Sequence, residues 1–165
     1  MKITVAKTAG FCFGVDRAVN TVYELVGKGE RVCTLGPIIH NPQIVEELSN
    51  KGVRIVDSPA EVEDGETLVI RSHGVTKAVM DECAALGVKT VDATCPFVSK
   101  IHKITAEMGN DGYVTLIAGD ADHQEVIGIV GHCTGDVFVF SGPDELEEIL
   151  KNKEKIGERP VILVS

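Results

Sequence analysis

Three of the five histidines, His40, His73 and His123, share one local setting. Each follows a short run of β-prone residues and precedes a stretch with helical periodicity. In open α/β sheets, ligands bind beyond the carboxyl ends of the strands, where helix N-termini direct free N–H groups towards them. One such histidine is usually a helix cap, but three in matching places predict a phosphate or diphosphate site. His102 and His132 lie in polar stretches and are predicted to be solvated or structural.

Two of the five cysteines lie in the same kind of strand-to-helix junction, namely Cys12 and Cys95. A helix N-terminus favours the thiolate form of a cysteine, which is both a nucleophile and a metal ligand. Cys33 is instead predicted inside a strand, and Cys83 on the apolar side of a helix. In those places a cysteine acts as a small core residue.

A carboxyl group stands close to the third histidine in sequence, because Glu125 follows His123 by two residues. It is a candidate proton donor, although a glutamate in a first helical turn also interacts favourably with the helix dipole. The cysteines and histidines together allow an iron–sulfur cluster beside an anion site, a mixed Cys/His zinc site, or a Cys–His nucleophile pair. Metal and cluster sites usually need three or four protein ligands, so spacing alone leaves all three open.

The composition of the 165 residues, 44% hydrophobic and 25% charged, is typical of a folded globular protein. The net charge of −9 argues against nucleic acid as a partner, because no broad basic face is available for a phosphate backbone. Five cysteines without a C-x-x-C pair argue against a disulfide framework or a zinc ribbon. The apolar runs are far shorter than the roughly 20 residues that span a bilayer. We therefore expect a cytoplasmic protein without a membrane partner.

The candidate site residues need elements to position them, and the pattern predicts strands alternating with helices. The predicted strands are residues 3–6, 32–35, 53–56, 68–70, 88–91, 114–117, 137–140 and 161–164. Helix starts are predicted at Asn41-Pro42, at Ser58 and at Pro143. This alternation predicts an α/β fold of consecutive small parallel-sheet units. We expect residues 1–95 to form the first unit and residues 96–165 a second, incomplete unit.

Five segments closely resemble the LytB/IspH family of 4-hydroxy-3-methylbut-2-enyl diphosphate reductases. They are Gly10-Phe11-Cys12-Phe13-Gly14-Val15-Asp16-Arg17-Ala18, Ile39-His40-Asn41, Ser72-His73-Gly74-Val75, Asp92-Ala93-Thr94-Cys95-Pro96 and His123-Gln124-Glu125-Val126-Ile127-Gly128. The segments occur in family order, and the similarity extends over the whole chain. Five motifs together make this a specific resemblance, whereas one His-Gly-Val alone would carry no weight.

The resemblance implies three α/β units around a central iron–sulfur cluster of the 4Fe-4S type, with one cysteine from each unit. Cys12 and Cys95 would be two of the three cluster ligands, and the third cysteine is absent from this chain. The three histidines would hold the substrate diphosphate. Glu125, together with His123, would take part in delivering a proton to the departing hydroxyl group.

The reaction implied by the resemblance is a two-electron reductive dehydroxylation in the non-mevalonate pathway of bacterial isoprenoid biosynthesis. An allylic diphosphate is converted to isopentenyl and dimethylallyl diphosphates, with a flavodoxin or ferredoxin as electron donor. Family members carry further site residues beyond the position of Ser165, so we expect this chain to be an N-terminal part that is inactive by itself. Residues 3–6 would then pair with the missing third unit. The alternative is a diphosphate-binding or zinc-binding α/β module without redox activity.

Overall fold

The computed structural model describes residues 2–151 and 156–165. Its strands are β1 (Arg31–Leu35), β2 (Arg54–Val56), β3 (Glu66–Ile70), β4 (Thr90–Asp92), β5 (Val114–Ala118), β6 (Val137–Phe140) and β7 (Val161–Val164). Its helices are α1 (Phe13–Gly27), α2 (Pro42–Asn50), α3 (Lys77–Ala85), α4 (Pro96–Asn110), α5 (Gln124–Val130) and α6 (Pro143–Lys151), with a 3-10 helix at Pro59–Glu61. None of the helices in the described ranges is long and apolar enough to cross a membrane.

The strands form two parallel sheets. The first has the order β2-β1-β3-β4 and the second the order β6-β5-β7, and every neighbouring pair is parallel. Parallel neighbours require a crossover between them, which the alternating helices supply. The predicted α/β fold of small parallel-sheet units is thereby confirmed. The division into residues 1–95 and 96–165 stays a prediction.

The first sheet is covered by apolar side chains on both faces. In the first sheet, Val32 and Val69 pack in one cluster with residues of α1, whereas Cys33 packs on the opposite face with Cys83 of α3. Side chains of a strand point alternately to its two faces, so neighbouring positions enter different clusters. Both of these cysteines are buried, which confirms their predicted place in the core.

The predicted helix starts agree with the structure, and their caps explain why. Asn41 caps α2 by accepting a hydrogen bond from the Ile44 N–H at 3.2 Å, and a proline follows it. Ser58 caps the 3-10 helix by accepting from the Ala60 N–H. Such side-chain acceptors satisfy N–H groups that have no partner within the helix.

Residues 3–6, predicted as a strand that pairs with a third unit, form no strand in this structure, and the pairing stays a prediction. Ile3 and Val5 are each 75% exposed. A strand needs a neighbour that pairs with its N–H and C=O groups, and none of the described strands lies beside this segment. The β-prone sequence is therefore not sufficient here.

Candidate functional site

The three predicted histidines form one cluster, which we call the histidine cluster. The ring centroids of His40 and His73 lie 4.7 Å apart, those of His73 and His123 5.9 Å, and those of His40 and His123 6.2 Å. His40 and His123 are exposed, and His73 is half-buried. The rings are close enough together for a single diphosphate to contact all three.

The fold explains why residues so distant in sequence meet. His40 follows β1 and His73 follows β3, and these strands are parallel neighbours whose carboxyl ends lie side by side. Ser72 joins the two loops, since its N–H and its hydroxyl each donate to the Ile38 carbonyl at 3.4 Å. His123 comes from the second sheet, where it follows β5.

Helix capping accounts for only one member of the histidine cluster. His123 is the N-cap of α5, and its Nδ1 accepts a hydrogen bond from the Glu125 N–H at 3.3 Å. This bond places the proton of the neutral ring on Nε2, which remains a donor for a ligand. Helices α2 and α3 are capped by Asn41 and Thr76 instead. Capping therefore does not explain the positions of His40 and His73.

The electrostatics of the histidine cluster suit an anionic ligand. Burial, together with the charges of His40, His123 and Arg71, lowers the pKa of His73 to about 4. An anion would relieve this repulsion by supplying an opposite charge. Within residues 2–151 and 156–165, no three histidine, cysteine, aspartate or glutamate side chains are arranged to hold a metal ion.

Arg71 is a site residue that the sequence reasoning missed. It directly follows β3 and is half-buried, and one of its terminal nitrogens donates to Oε1 of Gln124 at 2.5 Å. Its Nε donates to the Gly74 carbonyl at 3.4 Å. Its place in the sequence, between the end of a buried strand and His73, could have indicated a site residue. Its bond to Gln124 could not have been predicted, because the two residues are 53 positions apart.

The two predicted cluster cysteines occupy equivalent places. Cys12 is the N-cap of α1 and Cys95 the N-cap of α4, and neither side chain makes a capping hydrogen bond. Their thiols are therefore not used in holding the helices. In the core, burial raises the pKa of the Cys33 thiol to about 11, which disfavours its thiolate form.

The two cysteine junctions adjoin each other. A Cβ at Gly14 would lie 2.6 Å from Sγ of Cys95, so α1 approaches Cys95 closely only because residue 14 has no side chain. Arg17, one turn further along α1, donates to the carbonyls of Thr94 at 3.0 Å and Asp92 at 3.3 Å. These contacts fasten the start of α1 to the segment that precedes Cys95.

Cys95 also adjoins the histidine cluster. Its N–H donates to the Ser72 carbonyl at 2.9 Å, directly before His73. Glu125 is half-buried in the first turn of α5, two residues after His123. The structure thus brings a thiol, three imidazoles and a carboxyl group to one region.

His102 is not solvated, contrary to one of the two roles considered for it. It is 7% exposed and stacks on His132, with ring centroids 4.1 Å apart. Burial, with a contribution from His132, lowers the pKa of His102 to about 4. Its neighbours on the helix, Lys100 and Lys103, are exposed, which made the stretch look polar in sequence.

A family model described as LytB protein matches residues 3–165. The chain belongs to the LytB family. This confirms the resemblance that the five sequence motifs indicated. The match covers the segments of both cysteines, all three histidines and Glu125, whose individual roles stay predictions.

Curated relatives in the LytB family are named 4-hydroxy-3-methylbut-2-enyl diphosphate reductase. One from Thermoanaerobacter sp. (strain X514) is 44% identical over 153 residues, and one from Geotalea daltonii is 45% identical over 157 residues. These matches cover 90% and 95% of this chain but 53% and 55% of the relatives. The chain thus spans about half the length of the relatives it matches.

Solved structures agree with the LytB assignment. A structure of (E)-4-hydroxy-3-methyl-but-2-enyl diphosphate reductase, described as the terminal enzyme of the non-mevalonate pathway, matches with a TM-score of 0.79 and 34% identity. The match covers 98% of this chain and 66% of that structure. A Plasmodium falciparum structure matches with a TM-score of 0.80 at 22% identity, which supports the fold alone.

Proposed function

We propose that this chain forms part of a 4-hydroxy-3-methylbut-2-enyl diphosphate reductase. The reaction removes the hydroxyl group of that allylic diphosphate and gives isopentenyl and dimethylallyl diphosphates. The observation that carries the proposal is the histidine cluster, whose ring centroids lie 4.7 to 6.2 Å apart beyond the strand ends. Membership in the LytB family and the names of its relatives support the reaction.

The histidine cluster would hold the diphosphate of the substrate. His123 offers Nε2–H, because its Nδ1 accepts the Glu125 N–H. His40 and His73 offer further ring N–H donors, and an imidazole that gains a proton forms a stronger, charge-assisted bond to a phosphate oxygen. Held in this way, the diphosphate orients the hydroxyl end of the same molecule.

Cys12 and Cys95 would provide two thiolate ligands of a 4Fe-4S cluster. When bound, that cluster would pass to the substrate the two electrons that no side chain can supply. The donor set fits, because both thiols lie at helix N-termini and neither is engaged in a capping bond. The role of Gly14 and Arg17 is to hold α1 against the segment before Cys95, which fixes the two junctions relative to each other.

Glu125 would deliver a proton to the hydroxyl oxygen, which then leaves as water, while a second proton goes to carbon. Its place in the first turn of α5, next to a diphosphate ligand, supports this role. We further propose that a flavodoxin or ferredoxin supplies the electrons. We also propose that the 165-residue chain alone neither turns over substrate nor holds a cluster stably, because two thiolates fall short of the usual ligand number.

Titration with inorganic pyrophosphate tests the diphosphate site. We expect the ring NMR signals of His40, His73 and His123 to shift or broaden, while those of the buried His102 stay unchanged. The variant His73→Gln should weaken binding about tenfold, as expected for a lost hydrogen bond to a charged group. Unchanged signals at all three histidines under saturating pyrophosphate would contradict the proposal.

Anaerobic reconstitution with iron and sulfide tests the cysteines. We expect weak, substoichiometric cluster absorbance from the chain, lost in Cys12→Ser and in Cys95→Ser but kept in the matched control Cys133→Ser. Tight stoichiometric binding with turnover would refute the prediction that the chain alone is inactive. Zinc that survives dialysis and is lost in the same two variants would favour a zinc-binding module. Pyrophosphate binding by a chain that binds neither an iron–sulfur cluster nor zinc would favour a diphosphate-binding module without redox activity.

A further inference from the structure

Arg71 contacts all three loops that carry the histidine cluster. Its Nε donates to the carbonyl of Gly74, the residue after His73. A terminal nitrogen donates to Oε1 of Gln124, the residue after His123. A Cβ at Gly36, at the start of the loop that holds His40, would lie 2.5 Å from the other terminal nitrogen. One side chain therefore reaches each loop within a few residues of its histidine.

The contact with Gln124 joins the two sheets. His40 and His73 follow adjacent strands of the first sheet, and their loops are already joined by the bonds from Ser72 to Ile38. His123 follows β5 of the second sheet, so the strand pairing of the first sheet does not fix its position. The bond from Arg71 to Gln124 spans this gap directly beside the cluster.

The shape of arginine suits this role. Its guanidinium carries five N–H donors in a rigid plane, so one side chain can bond in several directions, and Arg71 uses two nitrogens for two loops. Lysine has the same charge but a single nitrogen on a flexible stem. Gly36 is buried and has a φ of +67°, a conformation that favours glycine. Because glycine has no side chain, it leaves room for the guanidinium that a Cβ would fill.

We propose that Arg71 is a positioning residue that holds His123 at its working distance from His40 and His73, and so sets the geometry of the diphosphate site. The inference rests on the proposed function, since it assumes that the histidines bind diphosphate. The charge of Arg71, with those of His40 and His123, also acts on His73. Position and charge therefore need separate readouts.

NMR spectroscopy of the chain without ligand provides those readouts. Ring-to-ring cross-relaxation reports the distance from His73 to His123, and a pH titration reports the pKa of His73. In Arg71→Lys we expect the cross-relaxation to fall at least about twofold while the pKa stays low, because the charge remains but the bridge is lost. In Arg71→Gln we expect the same loss of cross-relaxation and a raised pKa of His73.

The control and a second route keep the test decisive. Arg31→Gln removes an arginine from the other end of the same sheet and should change neither readout. Gln124→Leu removes the acceptor instead of the donor and should reproduce the loss of cross-relaxation. This variant tests the bridge even if Arg71→Gln does not fold. Wild-type distances in Arg71→Lys and Gln124→Leu would overturn the proposal.

Pyrophosphate affinity then separates this inference from the proposed function. If the wild-type chain binds pyrophosphate, Arg71→Lys should bind it at least about tenfold more weakly, whereas an unchanged affinity would overturn the positioning role. If the wild-type chain does not bind it, the proposed function loses its support. The ligand-free distances would still confirm or refute the bridge that Arg71 forms.

Discussion

At the scale of single residues, His73 combines burial with neighbours that can carry a positive charge. Burial and the charges of His40, His123 and Arg71 all act in the same direction and lower its pKa to about 4. The unfolded chain would titrate such a histidine near 6.5. A ligand that brings negative charge reverses the balance, because it stabilises the protonated ring. Binding of an anion at the proposed site would therefore be linked to proton uptake.

We expect the affinity for pyrophosphate to increase as the pH falls from 7 to 5. The lowered pKa keeps His73 neutral in the free protein in this range, whereas a bound anion would raise the pKa of the ring. The complex would therefore bind more protons than the free protein and the free anion together. Calorimetry in buffers of different ionisation enthalpy measures this uptake. Pyrophosphate itself also changes its protonation between pH 7 and 5, so the pH dependence of binding to His73→Gln serves as the reference. An identical pH dependence in that variant would contradict the linkage.

At the scale of the elements, the position of the site depends on helix starts. The carboxyl ends of parallel strands and the N-termini of the following helices meet at one edge, where each junction directs N–H groups outward. Helices α1 and α4 begin with cysteines whose thiols make no capping bond. The start of α1 reaches the start of α4 because Gly14 leaves space for the Cys95 thiol.

We expect Gly14→Ala to lower the free energy of unfolding by about 1–3 kcal/mol, because the added methyl group would lie 2.6 Å from Sγ of Cys95. It should also change the rate at which Cys95 reacts with a thiol reagent. Gly27→Ala is the matched control in the same helix, since a Cβ there meets nothing within 4 Å. Urea unfolding and alkylation followed by peptide mapping give both measurements. Equal stability of the two variants would contradict the close approach.

The sequence predicted the elements of this site better than the contacts between them. Buried parallel strands are continuous apolar runs with helical segments between them, so the strand ends that hold His40, His73 and His123 were recognisable. Arg71 was not, because its partner Gln124 is distant in sequence and local patterns carry no sign of it. The polar surroundings of His102 in sequence hid its burial, and its ring stacks on the distant His132. Tertiary contacts, unlike periodicity, are not encoded in a short window.

At the scale of the whole molecule, the structure has two parallel sheets and an N-terminal segment that pairs with neither. Ile3 and Val5 alternate as in a strand, which is why residues 3–6 were predicted as one. Their side chains are 75% exposed, so they add little to the apolar burial of this chain. The stability of both sheets should therefore be independent of them.

We expect the double variant Ile3→Asp, Val5→Asp to change the free energy of unfolding by less than about 0.5 kcal/mol, as is usual for exposed positions. Val22→Asp, at a fully buried position of α1, is the contrasting variant and should destabilise the chain severely. Urea unfolding monitored by circular dichroism compares the two. A loss above about 1 kcal/mol in the double variant would show that the segment packs against the chain in solution.

The histidine cluster draws His40 and His73 from one sheet and His123 from the other. An anion bound at the proposed site would therefore cross-link the two sheets. A motion that separates the two sheets at this site would first have to break the contacts of the anion with the histidines of one sheet. The free energy of binding is then added to the work of opening. A higher concentration of the anion would thus make separation of the two sheets at this site rarer.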